Sequence, residues 1–562
     1  MTNKKQDFAS RGWLVMATTL ALLIIISFIP PIEAGGVSLR RASVISDLIK
    51  LDQPTEQELL AQQEQPEIDV ADFEVDLEEV AEQVRQTTAS ASPFGEATSA
   101  SWEGIFDQEP AGGEEYTAMA QAQPSLDELP SADFSEILPT DSLITRIESF
   151  AQGERDEWER LYDKLLAGKE QVRVAFMGDS FVEGDILTAD LRELLQDTFS
   201  GSGVGYVPVA SPFTGFRQTI KTTSKGWTSF NIMQRKSTPE PYASDFFVSG
   251  WVAKASEGAS TRWEMTQRRR HIDNCRRARL LFISREPSTI SVRLSEGEER
   301  TFSFDARDEV RQIVIEQDSI TSLEMKVKSG AGGFTALGAE FDDRKGVAVD
   351  NLSVRSNNGQ AMFWSNASVN AQIHSMRSYD LVILQYGLNI MQADRHNYSL
   401  YAEQVENMIR YVESCFPGAA VLVMGVSDRS QKNEEGITPM TSAGDLTRWQ
   451  RTAAERCGVA FWDTYSTMQR LGGMATFVAN GWAGKDYTHI NYAGGAQIAR
   501  ELYYALLKGA EEYCLTVRER IEKKAPLLTK PLVIEPVNKI ATEGVTLGEE
   551  RSSESLGAAD IL

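Results

Sequence analysis

Val172-Arg173-Val174-Ala175-Phe176-Met177-Gly178-Asp179-Ser180-Phe181 is the stretch on which the reading of the fold turns. Residues 172–177 are apolar but for Arg173, and they end at a glycine that delivers a serine. The pattern predicts a buried strand over 172–177 and a turn after it. Residues 186–199 (ILTADLRELLQDTF) then carry apolar side chains at helical spacing. Strand, turn and helix in that order open an α/β layered fold, where reactive side chains gather beyond the carboxyl ends of the strands.

Upstream, residues 141–168 read as a helix that Asp141 can cap and Gly153 can divide. Downstream, the glycine-rich run 201–208 lacks the Lys-Ser/Thr of a phosphate-binding loop, so no nucleotide role is expected. From 213 to 345 short β-rich runs such as ARLLFIS, TISVRLS and RQIVIEQ follow one another without a long helix, which predicts an inserted β-sandwich or jelly-roll module. Arg268, Arg269, Arg270, Arg276, Arg277 and Arg279 form a basic cluster there, which reads first as a solvated surface and otherwise as a site for an anionic glycan or the chain's own acidic linker. After 346 apolar runs alternate again with helical patterns: VAVDNLSV, YDLVILQYG, a helix over 400–414, AAVLVMGVS, GVAFWDTY and a helix over 494–508. Such continuous runs suit parallel strands covered on both faces. The α/β domain is therefore expected in two pieces, 141–212 and 346–515.

The ends differ in character. Lys4, Lys5 and Arg11 precede Trp13 to Ile29, which carry no charge and end at Pro30-Pro31. That run is about the minimum for a bilayer span, and the flanking charges place the N-terminus in the cytoplasm and the rest outside. Residues 1–35 are thus expected to be a cytoplasmic end and a transmembrane anchor, with Ile32-Glu33-Ala34 a poor cleavage site. Residues 51–150 hold 24 acidic side chains against Arg85 and Arg146, a net of −22 within a chain total of −25. So little apolar surface cannot offset the entropy of ordering, and 36–140 is read as a disordered acidic linker. The same acidity argues against nucleic acid as a partner. The tail over 516–562 is also expected to be disordered. The four cysteines show no C-x-x-C spacing, and the four histidines form no metal-binding motif, so neither cofactor nor metal is expected.

Ser180 follows a strand and precedes a helix, though not within G-x-S-x-G, and taken alone Asp179-Ser180 would be a turn and helix cap. His489 has Asp486 three residues before it, which no other histidine matches. A carboxylate on one ring nitrogen leaves the other free to take a proton from Ser180. Asn389, in Gln385-Tyr386-Gly387-Leu388-Asn389, offers an amide donor for an oxyanion.

Gly178-Asp179-Ser180, Gly387-x-Asn389 and Asp486-x-x-His489, in this order, resemble the SGNH (GDSL-type) hydrolase superfamily. The resemblance implies a flavodoxin-like three-layer parallel sheet. It also implies Ser180 as nucleophile, His489 as base, Asp486 as its orienting acid, and Asn389 and the Ser180 N–H as oxyanion donors. One element departs: the family supplies a further N–H from a glycine soon after the second strand, and here Ser356 stands there, with glycine only at Gly359. Any non-proline residue can supply the N–H, so Ser356, Gly359 and, more remotely, Gly205 are candidates. GDSFVEGD, ILQYGLN, Ser427-Asp428-Arg429-Ser430 and Lys485-Asp486-Tyr487-Thr488-His489 are similar to membrane-anchored periplasmic partners of polysaccharide O-acetylation systems. That likeness implies an acetylated polysaccharide or oligosaccharide as substrate, a membrane acetyl-transferring protein as neighbour, and a single-pass inner-membrane protein with its C-terminal domain in the periplasm. A non-catalytic glycan-binding or assembly protein, and an esterase for other acyl chains, are the competing expectations.

Overall fold

The computed structural model describes residues 76–90, 131–151, 157–212, 215–434 and 436–528, with the short strands Glu33–Ala34, Val37–Ser38 and Thr98–Ser99. The chain divides into residues 1–74, in which the first two of those strands pair antiparallel, and residues 75–562, which hold everything below. The Trp13–Ile29 run lies outside the described residues, as do much of the acidic stretch and the chain after Leu528. Among the described residues no helix is long and apolar enough to cross a membrane.

The decisive strand is Gln171–Gly178. It lies between Gly346–Asn351 and Leu381–Gln385, and Ala420–Met424 and Ala460–Trp462 extend the sheet, all parallel. In chain order the spatial sequence is 2-1-3-4-5, the flavodoxin-like arrangement whose crevice opens beside the first strand. Alternate side chains serve opposite faces. Val172, Val174 and Phe176 pack with helices Glu157–Ala167, Thr188–Phe199 and Tyr492–Leu528. Ala175 and Met177 face Ala367–Met376, Ser399–Cys415 and Ser442–Cys457. Three layers result, as the sequence pattern implies.

The inserted strands form one curled antiparallel sheet in place of the expected two-sheet sandwich. It curls because the long strand Trp251–Met265 is shared: its first part pairs with Phe334–Asp342 and its later part with Ser322–Ser329. Gly205–Pro208 also joins this sheet, through Phe334–Asp342. The side chains enclosed by the curl form their own apolar core, with Trp263, Leu280, Phe282, Val292 and Phe341 in it.

Three local expectations change. Residues 141–168 are not one helix: Glu148–Ser149 adds an antiparallel edge to Ala460–Trp462, and among the described residues the α-helix there is Glu157–Ala167. Within the acidic stretch Leu77–Ser90 forms a helix, capped by Asp76, because Leu77, Val80 and Val84 share a face that packs into the core. The closing helix runs on to Leu528, past the expected start of a disordered tail. Arg520 reaches Glu159, and Tyr513 reaches Asp163, which ties this extension to the helix Glu157–Ala167.

The basic cluster is partly paired within the chain, while Arg268 and Arg276 are exposed. Arg269 meets Asp190 at 3.0 Å, Arg270 meets Glu193 at 2.7 Å and His271 meets Asp197 at 2.7 Å, all on the helix Thr188–Phe199. Arg277 pairs with Asp342 at 2.7 Å. All four cysteines are free thiols.

Candidate active site

Gly178 ends its strand without a positive φ; what it supplies is space. A Cβ there would come within 2.8 Å of the Val182 side chain and 3.1 Å of the Gln385 carbonyl. The chain then turns tightly, with the Val182 and Glu183 N–H groups donating to Asp179 O and the Phe181 N–H donating to Asp179 Oδ1. This leaves Ser180 at the carboxyl edge of the sheet, only 5% exposed.

The late loop comes to meet it. His489 Nε2 is 3.1 Å from Ser180 Oγ, and His489 Nδ1 is 2.7 Å from Asp486 Oδ2. Asp486 Oδ1 accepts the N–H groups of Thr488 and His489 at 3.0 and 3.2 Å. Burial alone would raise the Asp486 pKa, but the His489 ring and these N–H groups outweigh it and hold the carboxyl below its usual range. The carboxylate therefore stays charged and fixes the ring so that Nε2 faces the serine. The three residues expected from the sequence, 309 positions apart at the extreme, form one continuous hydrogen-bonded line.

Gly387, at φ +121°, turns the third parallel strand's exit so that Asn389 points back to the nucleophile turn. Its Nδ2 donates to Asp179 Oδ2 at 3.2 Å and to Asn357 O at 2.9 Å. Both amide hydrogens are thus engaged within the protein. Asp179 is fully buried, and burial pushes its carboxyl up to about 7 against the pull of the Phe181 N–H and the His489 charge.

The two expected backbone donors separate. Gly359 gives its N–H to Asn357 Oδ1 at 2.9 Å, and a Cβ on it would strike Met408, so it is packed away beneath the turn. Ser356 stands at φ +59°, the backbone conformation a glycine would take. Its N–H has no hydrogen-bond partner among the described residues, and neither has that of Ser180. Gly205 sits in the antiparallel sheet, hard against Val349 and Asp350.

Two supports were not legible beforehand. Asn351 bridges Val182 O, Asp185 Oδ1 and Thr188 Oγ1 at 2.9, 3.2 and 3.0 Å, and Arg355 meets Glu183 at 2.5 Å. Together they bind the second strand's exit to the nucleophile turn. Their only sequence signal was position, immediately after an apolar strand. Beside that turn a cleft opens between the two sheets, lined in part by Glu183, Gly184, Tyr206, Trp251, Asn351 and Ser353.

A parallel sheet in this strand order, with Ser, Asn and Asp-x-x-His converging at its carboxyl edge, is the SGNH hydrolase fold. Among solved structures the chain is similar to a peptidoglycan O-acetylesterase, at 20% identity over 65% of this chain and 99% of that one, with a TM-score of 0.53. It also matches a lipase/acylhydrolase from Enterococcus faecalis (18% identity, 31% of this chain and 77% of that one, TM-score 0.21). A family two carbohydrate esterase from Cellvibrio japonicus matches at 10% identity over 52% of this chain and 98% of that one, TM-score 0.22. No protein-family model and no curated protein matches the chain.

Proposed function

We propose that this protein is a serine esterase or transesterase that acts on O-acetyl groups of a cell-envelope polysaccharide. The observation that carries the reading is the unbroken line Asp486–His489–Ser180. His489 Nε2 takes the Ser180 proton as Oγ attacks the acetyl carbonyl, and the imidazolium so formed is stabilised by the Asp486 carboxylate. The oxygen that becomes negative is held by the unpartnered N–H groups of Ser180 and Ser356. Asn389 adds its amide by exchanging the neutral Asn357 carbonyl for a charged and stronger acceptor. His489 returns its proton to the departing sugar oxygen, which leaves an acetyl-enzyme. Water or a second sugar hydroxyl then resolves it, giving hydrolysis or transfer.

The likeness of fold to the peptidoglycan O-acetylesterase supports a polysaccharide ester over a lipid one, and the cleft beside the nucleophile turn, where Tyr206 and Trp251 stand with Glu183 and Asn351, has both aromatic surface and polar groups to offer a sugar ring. The uncharged run Trp13–Ile29 supports an exported enzyme tethered to the inner membrane, with a membrane acetyl-transferring protein as the neighbour for net transfer. The test is acetate release from a chromogenic acetyl ester by the full-length chain, with and without an oligosaccharide acceptor. Ser180→Ala should lower kcat by a factor on the order of 10⁴ or more, and Asn389→Ala by about 10²–10³. An undiminished rate in Ser180→Ala would sink the assignment; acetylated acceptor would identify a transferase.

A further inference from the structure

Arg429 takes no part in the triad, yet it is built against it. Its Nε donates to Thr488 Oγ1 at 3.1 Å, and Thr488 lies in the turn between Asp486 and His489. Its neighbours lock it there. Asp428 accepts the Arg429 N–H at 2.9 Å and the Met474 N–H at 2.6 Å, and the Ser430 N–H donates to Tyr487 O at 3.0 Å.

The guanidinium is half-buried, but it forms no ion pair among the described residues. This sets it apart from the other sequestered arginines. Arg173 pairs with Asp350, Arg217 with Asp185, Arg285 with Asp245 and Arg377 with Glu340. Asp486, whose charge acts on Arg429, has spent its oxygens on His489 and on two backbone N–H groups. Both Nη groups of Arg429 lack a hydrogen-bond partner among the described residues and remain open to solvent. Burial lowers the Arg429 pKa while Asp486 raises it, so the charge is desolvated without being neutralised. Lys485, one residue before Asp486, is an exposed cation, also with no ion pair among the described residues.

A guanidinium held at Nε, with its Nη edge free, presents the planar fork that grips a carboxylate through two hydrogen bonds. The chain's charge of −25 repels anions at a distance, but over more than about 8 Å it is screened at physiological ionic strength. Short-range pairing therefore decides. We infer that Arg429, assisted by Lys485, forms a subsite for the carboxylate of an acidic sugar, so that the acetylated polysaccharide carries uronic-acid-type units at or beside the ester. The inference rests on the proposed esterase for what lies next to the carboxylate, while the recognition itself requires no chemistry.

The test begins with binding. Unesterified tri-galacturonate and neutral xylotriose are titrated calorimetrically into the full-length chain, wild type, Arg429→Lys and Arg429→Gln. The wild type should bind the acidic trisaccharide and not the neutral one. Arg429→Gln should weaken that binding tenfold or more, Arg429→Lys should fall between, and 0.5 M NaCl should weaken it in the wild type. No binding of tri-galacturonate, equal binding of both sugars, or unchanged affinity in Arg429→Gln would each overturn the subsite. Kinetics supply a second reading on acetylated galacturonate and acetylated xylo-oligosaccharides. Arg429→Gln should lower the acidic-to-neutral ratio of kcat/KM at least tenfold, through KM. An equal loss of kcat on both would make Arg429 a brace for the Asp486–His489 turn and overturn the proposal. Selective binding by a chain that hydrolyses no acetyl ester would sink the esterase reading and leave the subsite standing.

Discussion

Ser356 holds φ +59° where a glycine would be unstrained, a conformation that costs an L-residue roughly 1–2 kcal/mol. Its N–H has no partner among the described residues, and on the proposed mechanism it is the donor that replaces the family's glycine. Ser356→Gly should therefore raise stability by about 1 kcal/mol in denaturant unfolding and keep acetyl-ester turnover. Ser356→Pro, which has no N–H and cannot reach that φ, should lose it a hundredfold or more. Equal turnover in the two variants would remove Ser356 from the oxyanion hole. Asp179 makes a prediction about pH. Burial raises its carboxyl to about 7, so between about pH 4 and 7 the folded state holds a proton that the unfolded chain has released. Stability must then fall as pH rises through that window, by about 4 kcal/mol in all at pH 8. Asp179→Asn removes the term, and its Tm relative to wild type should climb from pH 4.5 to pH 8. A difference flat with pH would show Asp179 to titrate normally.

At the scale of the element, the turn after the nucleophile strand is held by one buried carboxylate. Asp185, itself at φ +68°, meets Arg217 at 2.8 Å and Arg192 at 3.3 Å and accepts from Thr188. Burial would raise its pKa, but the two guanidiniums outweigh it and hold the carboxyl far below its usual range. Removing it leaves two desolvated cations, so Asp185→Ala should cost about 3–5 kcal/mol in denaturant unfolding. A loss under about 1 kcal/mol would mean that Arg192 and Arg217 find other partners. The sequence showed Asp185 as part of GDSFVEGD but gave no reason for it, since Arg217 and Asn351 are brought to it from distant positions. The parallel strands were legible because burial on both faces leaves continuous apolar runs. The segment 141–168 was misread for a related reason: its helical spacing continues through Ile147, but Glu148–Ser149 finds backbone partners at a sheet edge that only the fold creates.

In the molecule as a whole, an acidic stretch that composition marks as unstructured contributes a helix to the core beside the parallel sheet. Val80 and Val84 are buried, and Thr87 reaches Ser368 at 2.8 Å. A 14-residue helix is marginal in water by itself, so its order must come from docking. The double variant Val80→Asp, Val84→Asp should raise amide exchange over residues 80–90 at least tenfold, with acetyl-ester turnover as the control that the catalytic core persists. Unchanged exchange would show a helix that stands without the contact.

Local pattern marked the parallel strands, most of the helices between them and the three residues Ser180, Asp486 and His489 that the fold brings together, because burial periodicity and motif spacing are written in neighbouring residues. The curl of the inserted sheet, the docking of Leu77–Ser90, the pairing of Arg269, Arg270 and His271 with Thr188–Phe199 and the engagement of the Gly359 N–H by Asn357 were decided only in three dimensions. The first three depend on a partner contributed by a distant segment, and the last on whether an N–H has already been satisfied, which no local pattern records.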